Sequence, residues 1–378
     1  MQYRDFGNTG KKISALGFGC MRLPEFERDG KWYIDEDKAI PMLRAAYEAG
    51  VNYFDTAVGY CHENSQYAVG KAIKPFRDKV MASTKIPMHL VKKPEDFRKV
   101  LEESLRRMDT SYIDFYHFHG INKGTFDDQI VPMKIMDEAR KCIDEGLIKH
   151  ISFSFHGNPD DMPYMIEKGE IISSVLLQYN LLDRSNEKAI DLLASKGIGV
   201  VVMGPVAGGR LSAPATILSE KLLDGKAIAT SELAMRFVLG NKNVSCSLSG
   251  MGTMQMLTDN LKIAELEEPM TQAEWEKSRE MVEQIRKFSD LYCTGCNYCI
   301  PACKKGINIS HVFNAFTYHN VYGLTEHAKG MFNSIGHNEH HGKPVSDCIN
   351  CGACSKKCPQ NIDIPKKLKE VAELFAGL

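Results

Sequence analysis

Eight of the twelve cysteines in this 378-residue chain fall into two runs near its C-terminal end. Both runs have the spacing C-x2-C-x2-C-x3-C, which is the pattern of bacterial ferredoxins. Three thiolates on one tight loop can bind three irons of a [4Fe-4S] cubane, so the pattern predicts two such clusters. The predicted ligands are Cys293, Cys296, Cys299 and Cys303 in the first run and Cys348, Cys351, Cys354 and Cys358 in the second.

The fourth cysteine of each run is expected to cross to the other cluster, as in two-cluster ferredoxins. One cluster would then take Cys358 with the first three cysteines of the first run. The other would take Cys303 with the first three of the second. Paired zinc sites are the structural alternative, but zinc usually shows two C-x2-C pairs rather than a run of four. The first run has Lys304 where the motif usually has proline, which leaves its loop geometry less defined.

Polar residues also stand at the ends of four apolar, strand-like runs. The runs and their polar ends are VNYFD with Asp55, VMASTK with Lys85, YIDFYHFH with His119, and HISFSFH with Ser154 and His156. A lone Asp55 after a strand would usually be a capping residue. Polar residues at successive strand ends of an alternating β/α chain, however, converge on one mouth. The pattern therefore predicts an active site there, with Tyr60 five positions after Asp55 as part of it.

These strand ends belong to a longer alternation of strands and helices. The eight predicted strands are ALGFG, VNYFD, VMAST, YIDFYHF, HISFS, SVLLQY, IGVVVM and VSCSL. Amphipathic helical periods lie between them, for example at 35–49 and 94–108. Eight such repeats in about 250 residues predict an α/β fold of the (β/α)8 TIM-barrel type. A doubly wound open sheet is the competitor, but it would normally carry G-x-G-x-x-G after its first strand, and LGFGCMRLP does not.

The chain is predicted to form a barrel over residues 1–285 and a small, α-rich, ferredoxin-like domain over 286–378. Residues 2–14 are predicted to form a β-hairpin, turning at 8–10, that plugs the bottom of the barrel. Helices are expected at 272–288 and 365–375. The His-rich tract HNEHH at 337–341 is interpreted as a solvated linker, with weak metal binding as the alternative.

Composition limits the classes of partner. The formal net charge is −1 and 25% of the residues are charged, so neither nucleic acid nor a membrane is expected as a partner. No run approaches about 18 apolar residues, and the N-terminus lacks a basic region followed by an apolar core. We therefore expect a cytoplasmic protein, in which clustered cysteines indicate metal. The scattered cysteines are expected to be small buried hydrophobes: Cys20, Cys61, Cys142 and Cys246.

Taken together, the chain resembles the aldo/keto reductase family, in the branch that carries a C-terminal two-cluster ferredoxin-like domain. The matching stretches are GNTGKKISALGFGCMRLP, AGVNYFDTAVGY, YIDFYHFH, GLIKHISFSFHG, LLQYNLLDR, GVVVMGPVAGGRL and MRFVLGNKNVSCSLSGM. The resemblance implies that Tyr60 is the general acid that protonates a substrate carbonyl as hydride arrives. Lys85 would assist the phenol, Asp55 would hold Lys85, and His119 would orient the carbonyl or pass the proton.

The resemblance is weaker at the nicotinamide-binding positions. Phe155 stands where the family usually has Asn, and Met203 where many members stack a Tyr on the nicotinamide ring. Gly250 and Met256 replace the Lys and Arg expected around the 2′-phosphate of NADPH. The cofactor contacts implied by the resemblance are Ser154, Gln178, Met203, Gly204, Pro205, Gly250, Gly252 and Asn260. NADPH or NADH is the expected cofactor, and a flavin is an open alternative.

Three further residues are expected near the mouth. His117 lies two positions before His119 on the same strand, so both face the barrel interior and His117 is one layer deeper, where packing is its expected role. Cys61 and His156 are open as substrate contacts or as packing residues.

Nicotinamides transfer two electrons as hydride, whereas a [4Fe-4S] cluster transfers one, and this leaves three hypotheses. The first is an oxidoreductase that reduces a small-molecule carbonyl, or oxidises an alcohol, with the clusters as electron entry or as an accessory. The second is a reductase driven by a ferredoxin-type partner, with the nicotinamide site lost or occupied by flavin. The third is a non-catalytic electron-transfer or redox-sensing protein. A lysine buried beside a phenol argues against the third, since a scaffold does not need it.

Overall fold

The computed structural model describes residues 1–207, 211, 228–288, 293, 297, 299–320, 323–337, 341–358 and 362–378. Two compact units divide the chain: residues 1–208 with 232–275, and residues 209–231 with 276–378. Cys296 lies outside the described residues. In the described part of the chain, no helix combines the length and apolarity that a membrane crossing requires.

A closed barrel of eight parallel strands forms the first unit. It follows an antiparallel hairpin of β1 (Tyr3–Asp5) and β2 (Lys12–Ser14). The barrel strands are β3 (Leu16–Gly19), β6 (Tyr53–Asp55), β7 (Met81–Pro87), β8 (Ile113–Ile121), β9 (Ile148–Phe155), β10 (Ile172–Gln178), β11 (Gly199–Met203) and β12 (Cys246–Ser249). β12 pairs with β3 to close the ring. All eight predicted strands and the predicted fold class are confirmed.

Helices connect the barrel strands. They are α1 (Glu36–Glu48), α2 (Ser65–Ile73), α3 (Pro94–Arg107), α4 (Ile135–Asp144), α5 (Met162–Gly169), α6 (Glu187–Ser195), α7 (Thr230–Gly240) and α8 (Met254–Ala264). α3 begins with Pro94, whose missing N–H costs nothing in a first turn, and the Asp96 carboxylate accepts from the Lys93 backbone N–H. Its buried face carries Phe97, Leu101 and Leu105 at helical spacing, so one stripe packs on the barrel.

The N-terminal hairpin fills one end of the barrel, as predicted. Phe6 is fully buried and packs with Tyr53, Phe115 and Val201 inside the strands. A Cβ at Gly199 would come within 2.3 Å of the Phe6 ring, so only glycine leaves room for it there. Because this end is packed with side chains, the opposite mouth is where polar groups can face a ligand.

A second hairpin, which the sequence analysis missed, follows the first barrel strand. β4 (Glu25–Arg28) pairs antiparallel with β5 (Lys31–Ile34). Its turn residues Asp29 and Gly30 both have positive φ, 54° and 70°, as an Asp-Gly hairpin turn requires. The signal was therefore present in the sequence.

The second unit is largely helical. Its described helices are most of α9 (Gln272–Phe288), α10 (Ile309–Asn320), α11 (Thr325–Asn333) and α12 (Ile364–Ala376). Its core is formed by aliphatic and aromatic side chains that include Ile307, Phe313 and Leu368, together with the thiols of Cys299 and Cys354. Thiols packed inside a small core lie where a buried inorganic group would be held.

Candidate active site

A buried ion pair joins two neighbouring strands at the barrel mouth. Asp55 ends β6 and is 2% exposed, while Lys85 on β7 is 1% exposed. Lys85 Nζ donates to Asp55 Oδ2 at 2.5 Å and to the Thr56 carbonyl at 2.8 Å. A buried ammonium is tolerated only when its donors are paired in this way.

Tyr60 and His119 lie beside this pair. The Lys85 ammonium lies 4.6 Å from the centroid of the Tyr60 ring. The Tyr60 and His119 rings meet edge to face, with 5.9 Å between centroids. The structure therefore brings the four residues predicted to be catalytic into one place, although their roles remain predictions.

The electrostatics keep this group in defined protonation states. Burial raises the pKa of the Tyr60 phenol, and the Lys85 ammonium acts in the opposite direction. Burial tends to lower the pKa of Lys85, but Asp55 and Tyr60 raise it, and the net shift is upward. Burial, followed by Lys85, lowers the pKa of His119 to about 4. At neutral pH the site thus holds a neutral phenol, an ammonium and a neutral imidazole.

A serine that the sequence analysis did not single out also contacts Asp55. Ser83 Oγ donates to Asp55 Oδ1 at 2.5 Å, because the two residues are direct partners in the pairing of β6 with β7. Deeper in the barrel, the Tyr53 hydroxyl lies 3.3 Å from His117 Nε2. His117 is fully buried, and burial lowers its pKa well below the usual range. A polar contact therefore lies in the barrel interior behind the ion pair.

The loop after Tyr60 has an uncommon backbone. Cys61, His62 and Glu63 have φ values of 51°, 50° and 69° in succession, in the left-handed region that residues with a Cβ rarely occupy. The missed hairpin packs on this loop: His62 stacks on Trp32, with 4.8 Å between centroids, and its Nδ1 lies 3.0 Å from Glu25 Oε1. The hairpin thus helps to define the position of the segment that carries Tyr60.

The two open candidates near the mouth differ in environment. Cys61 is buried, its thiol is directed at the Met21 and Cys20 carbonyls, and burial raises its pKa to about 11. It is therefore a neutral thiol at physiological pH. His156 is exposed and lies beside Gly120, so it remains available to a ligand. Their roles in substrate contact stay open.

Ser154, Gln178 and Met203, three of the predicted cofactor contacts, lie at the C-terminal ends of β9, β10 and β11, the strands that follow those of the tetrad around the barrel. Ser154 Oγ accepts a hydrogen bond from the Gly120 backbone N–H at 2.6 Å, and the Gly204 carbonyl accepts from Asn180 at 3.0 Å. A Cβ at position 204 would come within 2.5 Å of the Gln178 side-chain amide, so glycine at this position leaves room for that amide. Met203 and Gln178 are half-buried, and Pro205 is buried.

The remaining contacts surround the first turn of α8. Thr253 caps this helix, its Oγ accepting from the Met256 backbone N–H at 3.2 Å. Asn260 donates to Ser249 Oγ at 2.9 Å, and Gly250 is exposed beside it. Met254 and Met256 are 46% and 50% exposed. The surface thus offers a helix N-terminus to a phosphate, but its exposed side chains are apolar.

Arg22, which the sequence analysis did not single out, has its side chain beside the loop that leads into this helix. A Cβ at Gly250 would lie 3.8 Å from the Arg22 side chain, and one at Gly252 would lie 3.6 Å from the Arg22 carbonyl. Arg22 follows β3, which pairs with β12, and this pairing brings residues 22 and 250 together although they are far apart in the sequence. An arginine near a helix N-terminus is a residue type that can bind the phosphate groups of a dinucleotide.

Four of the predicted cluster ligands surround one cavity in the second unit. Cys303, Cys348, Cys351 and Cys354 line one small cavity. This is the predicted crossed set, with Cys303 joining three cysteines of the other run. Of the other predicted set, Cys299 is buried and Cys293 and Cys358 pack against the same core. Because Cys296 lies outside the described residues, that set is described only in part.

The thiol arrangement fits a cluster better than a single ion. Among the described residues, no three His, Cys, Asp or Glu side chains are grouped closely enough to bind one metal ion. Zinc requires four ligands about 2.3 Å from one atom, whereas each thiolate of a cubane binds a different iron. In the His-rich tract, His341 stacks on His311, with 4.3 Å between centroids, and residues 338–340 lie outside the described part.

Family models match both parts of the chain. The model described as the aldo/keto reductase family matches residues 15–283. The model described as a 4Fe-4S dicluster domain matches residues 292–364.

Individual relatives agree with the first match. L-galactose dehydrogenase from Arabidopsis thaliana is 31% identical over 299 residues, covering 71% of this chain and 89% of the relative. The holo form of an aldo-keto reductase from Bacillus halodurans is 27% identical with a TM-score of 0.64, covering 74% of this chain and 96% of that one. An aldo/keto reductase from Klebsiella pneumoniae in complex with NADP and acetate has the same fold, at 20% identity and a TM-score of 0.61, covering 73% and 94%.

Proposed function

Because the chain belongs to the aldo/keto reductase family of oxidoreductases, we propose that it reduces a small-molecule carbonyl, or oxidises the alcohol, with Tyr60 as general acid or base. The observation that carries the proposal is the fully buried Lys85, held by Asp55 and lying 4.6 Å from the Tyr60 ring centroid. An ammonium in that position stabilises a phenolate, which is the product of proton donation by Tyr60.

Each residue has a separate task in this mechanism. Tyr60 is protonated at neutral pH and donates its proton to the carbonyl oxygen as negative charge develops there. Lys85 offsets the charge left on the phenolate, and Asp55 keeps the ammonium in place. His119 is a neutral imidazole, so it donates a hydrogen bond that orients the carbonyl rather than supplying a proton. Ser83 and the Thr56 carbonyl complete the contacts of the ion pair.

A nicotinamide, when bound, would supply or accept the hydride, and two [4Fe-4S] clusters would exchange single electrons. Ser154, Gln178 and Gly204 would hold the nicotinamide end. Arg22, Asn260 and the first turn of α8 would hold the phosphates. The eight cysteines of the two runs would hold the clusters, with Cys303, Cys348, Cys351 and Cys354 on one of them.

The proposal is tested by carbonyl turnover in Tyr60→Phe. Loss of the phenol should lower kcat by about 10²- to 10⁴-fold, the usual contribution of a positioned acid. Tyr67→Phe is the matched control, because Tyr67 is an exposed phenol outside the site. Full turnover in Tyr60→Phe would end the assignment, as would an equal loss in Tyr67→Phe.

The ferredoxin-driven alternative is favoured by one observation: Gly250 and Met256, both exposed, stand where a 2′-phosphate would need cations. Anaerobic titration with NADPH and then NADH separates the two functions. Carbonyl reduction by either nucleotide supports the proposal, and bleaching of the cluster absorbance would further indicate a mediator between hydride and single-electron chemistry. Turnover only with a low-potential one-electron donor would support the alternative.

A further inference from the structure

Part of the cavity that the four cysteines line is open to solvent. Cys351, one of its lining residues, is exposed, and Ile349 beside it is 54% exposed. Ile349 thus offers an apolar side chain to any molecule that approaches the exposed Cys351. A bound iron-sulfur group would therefore lie directly beneath this surface.

The segments that supply most of the cavity lining carry charge of one sign. Residues 302–309 and 348–358 contain four lysines and no aspartate or glutamate, and two of these lysines, Lys304 and Lys305, line the cavity itself. The chain as a whole is almost neutral, with 47 basic and 48 acidic residues, so the segregation is local. The four are Lys304, Lys305, Lys356 and Lys357, and all are exposed.

These lysines are not used to stabilise the fold through ion pairs. Within the described ranges, none of the four has a carboxylate partner, although many other lysines of the chain do, for example Lys367 with Glu370. The carboxylates that flank the second segment in the sequence are Asp347, which precedes Cys348, and Asp363, which precedes α12. The positive charge therefore remains available to an incoming molecule.

We propose that the surface formed by Lys304, Lys305, Ile349, Lys356 and Lys357, termed the lysine surface, is the docking site of an acidic ferredoxin-type protein that delivers single electrons. The inference rests on the cluster content of the proposed function and adds the partner's chemistry and its place of contact. Complementary charge speeds encounter and orients the partner, and Ile349 supplies a central apolar contact.

The proposed reaction at this surface is the transfer of a single electron. The reduced centre of the partner would lose one electron, and an iron-sulfur group bound by Cys303, Cys348, Cys351 and Cys354 would gain it. No bond would be formed or broken and no proton transferred. Cys351 is the exposed thiol of the four, so it is the ligand that a docked partner could approach.

The test measures binding rather than turnover. The full-length, iron-loaded protein is titrated with an oxidised acidic two-cluster ferredoxin across about 0.05 to 0.3 M NaCl. The variants are Lys304→Gln with Lys305→Gln, and Lys356→Gln with Lys357→Gln. The matched control is Lys366→Gln with Lys369→Gln, which removes two exposed charges from α12 of the same unit. Basic cytochrome c serves as the probe of opposite charge.

We expect the Kd of ferredoxin to rise by at least about tenfold across this salt range. At low salt, each lysine variant should weaken binding by about tenfold, whereas the Kd of the control pair should stay within about twofold of the wild-type value. Cytochrome c should not bind. The inference is overturned if ferredoxin does not bind, or if its Kd is unchanged in both lysine variants. It is also overturned if the control pair weakens binding as much as the lysine variants do, or if cytochrome c binds more tightly than ferredoxin. Since no carbonyl is turned over, failure here is distinguishable from failure of Tyr60 as the acid.

Discussion

The hydroxyl of Ser83 donates a 2.5 Å hydrogen bond to one carboxylate oxygen of Asp55, while Lys85 occupies the other oxygen at the same distance. The carboxylate that anchors the proposed catalytic lysine is thus fixed at both oxygens. Ser83 is fully buried, so its effect on the reaction would pass through Asp55. It is a positioning residue.

Ser83→Ala should lower kcat for carbonyl reduction by about tenfold and leave KM nearly unchanged. A hydrogen bond to a charged group contributes about 1.5 to 3 kcal/mol, and its loss lets the ion pair shift relative to Tyr60. Ser152→Ala is the matched control, because Ser152 is equally buried but bonds to Ser174 instead. Ser83→Thr should restore kcat. An unchanged kcat in Ser83→Ala, or an equal loss in Ser152→Ala, would contradict this role.

The pH profile of carbonyl reduction should be flat from about pH 5 to 9. His119, with a pKa of about 4, becomes protonated only in acid, where it would repel Lys85 and misorient the carbonyl. Activity should therefore fall as the pH drops toward 4. In alkali it should fall once Tyr60 loses its proton, above the ordinary range of a phenol because burial raises its pKa.

His119→Gln identifies the origin of the acid limb. This variant should be slower at neutral pH but lack the decline near pH 4, because an amide does not titrate. If its decline matches that of the wild type, another group controls the acid limb, and the neutral imidazole is not responsible.

Arg22→Gln should raise the Kd of NADPH and of NADH by about tenfold each, since a charge-assisted contact to a phosphate shared by both is lost. Arg28→Gln is the control, because Arg28 lies on the hairpin and packs over Tyr33. Binding is measured by titration without substrate. No change in Arg22→Gln would refute the phosphate contact, and a loss confined to NADPH would assign Arg22 to the 2′-phosphate instead.

Trp32→Ala should lower kcat several-fold while changing the free energy of unfolding by only about 1 kcal/mol. The reason is that Trp32 stacks on His62 in the loop that carries Tyr60, and small displacements of a catalytic group are costly in rate. Phe26→Ala is a close control: Phe26 lies on the same hairpin, is also 41% exposed, and stacks on Tyr33 rather than on the loop. Equal kcat losses in both variants would show that the hairpin matters only for stability.

The barrel could be predicted because its signal is local. Short apolar runs separated by helical periods repeat eight times, and four of them end on polar residues. The strands that carry Asp55, Lys85 and His119 were therefore evident, and their convergence followed from the fold. The contacts of Ser83 and Arg22 could not be predicted in the same way. Ser83 meets Asp55 only through the register of β6 with β7, and Arg22 meets Gly250 only where β12 closes against β3. The hairpin at Glu25–Ile34 could have been predicted from the sequence, since Asp29-Gly30 is a typical hairpin-turn pair.

The left-handed run at Cys61, His62 and Glu63 has a consequence for engineering the protein. Each residue with a Cβ in that conformation costs about 1 kcal/mol or more, so glycine at these positions is the obvious exchange for raising the melting temperature. A glycine at position 62 would remove the stacking of His62 on Trp32, and a glycine at any of the three positions would loosen the backbone next to Tyr60. This loop is therefore where thermal stability and catalytic rate are expected to oppose one another, and a stabilised variant is better sought in α3 or the outer helices.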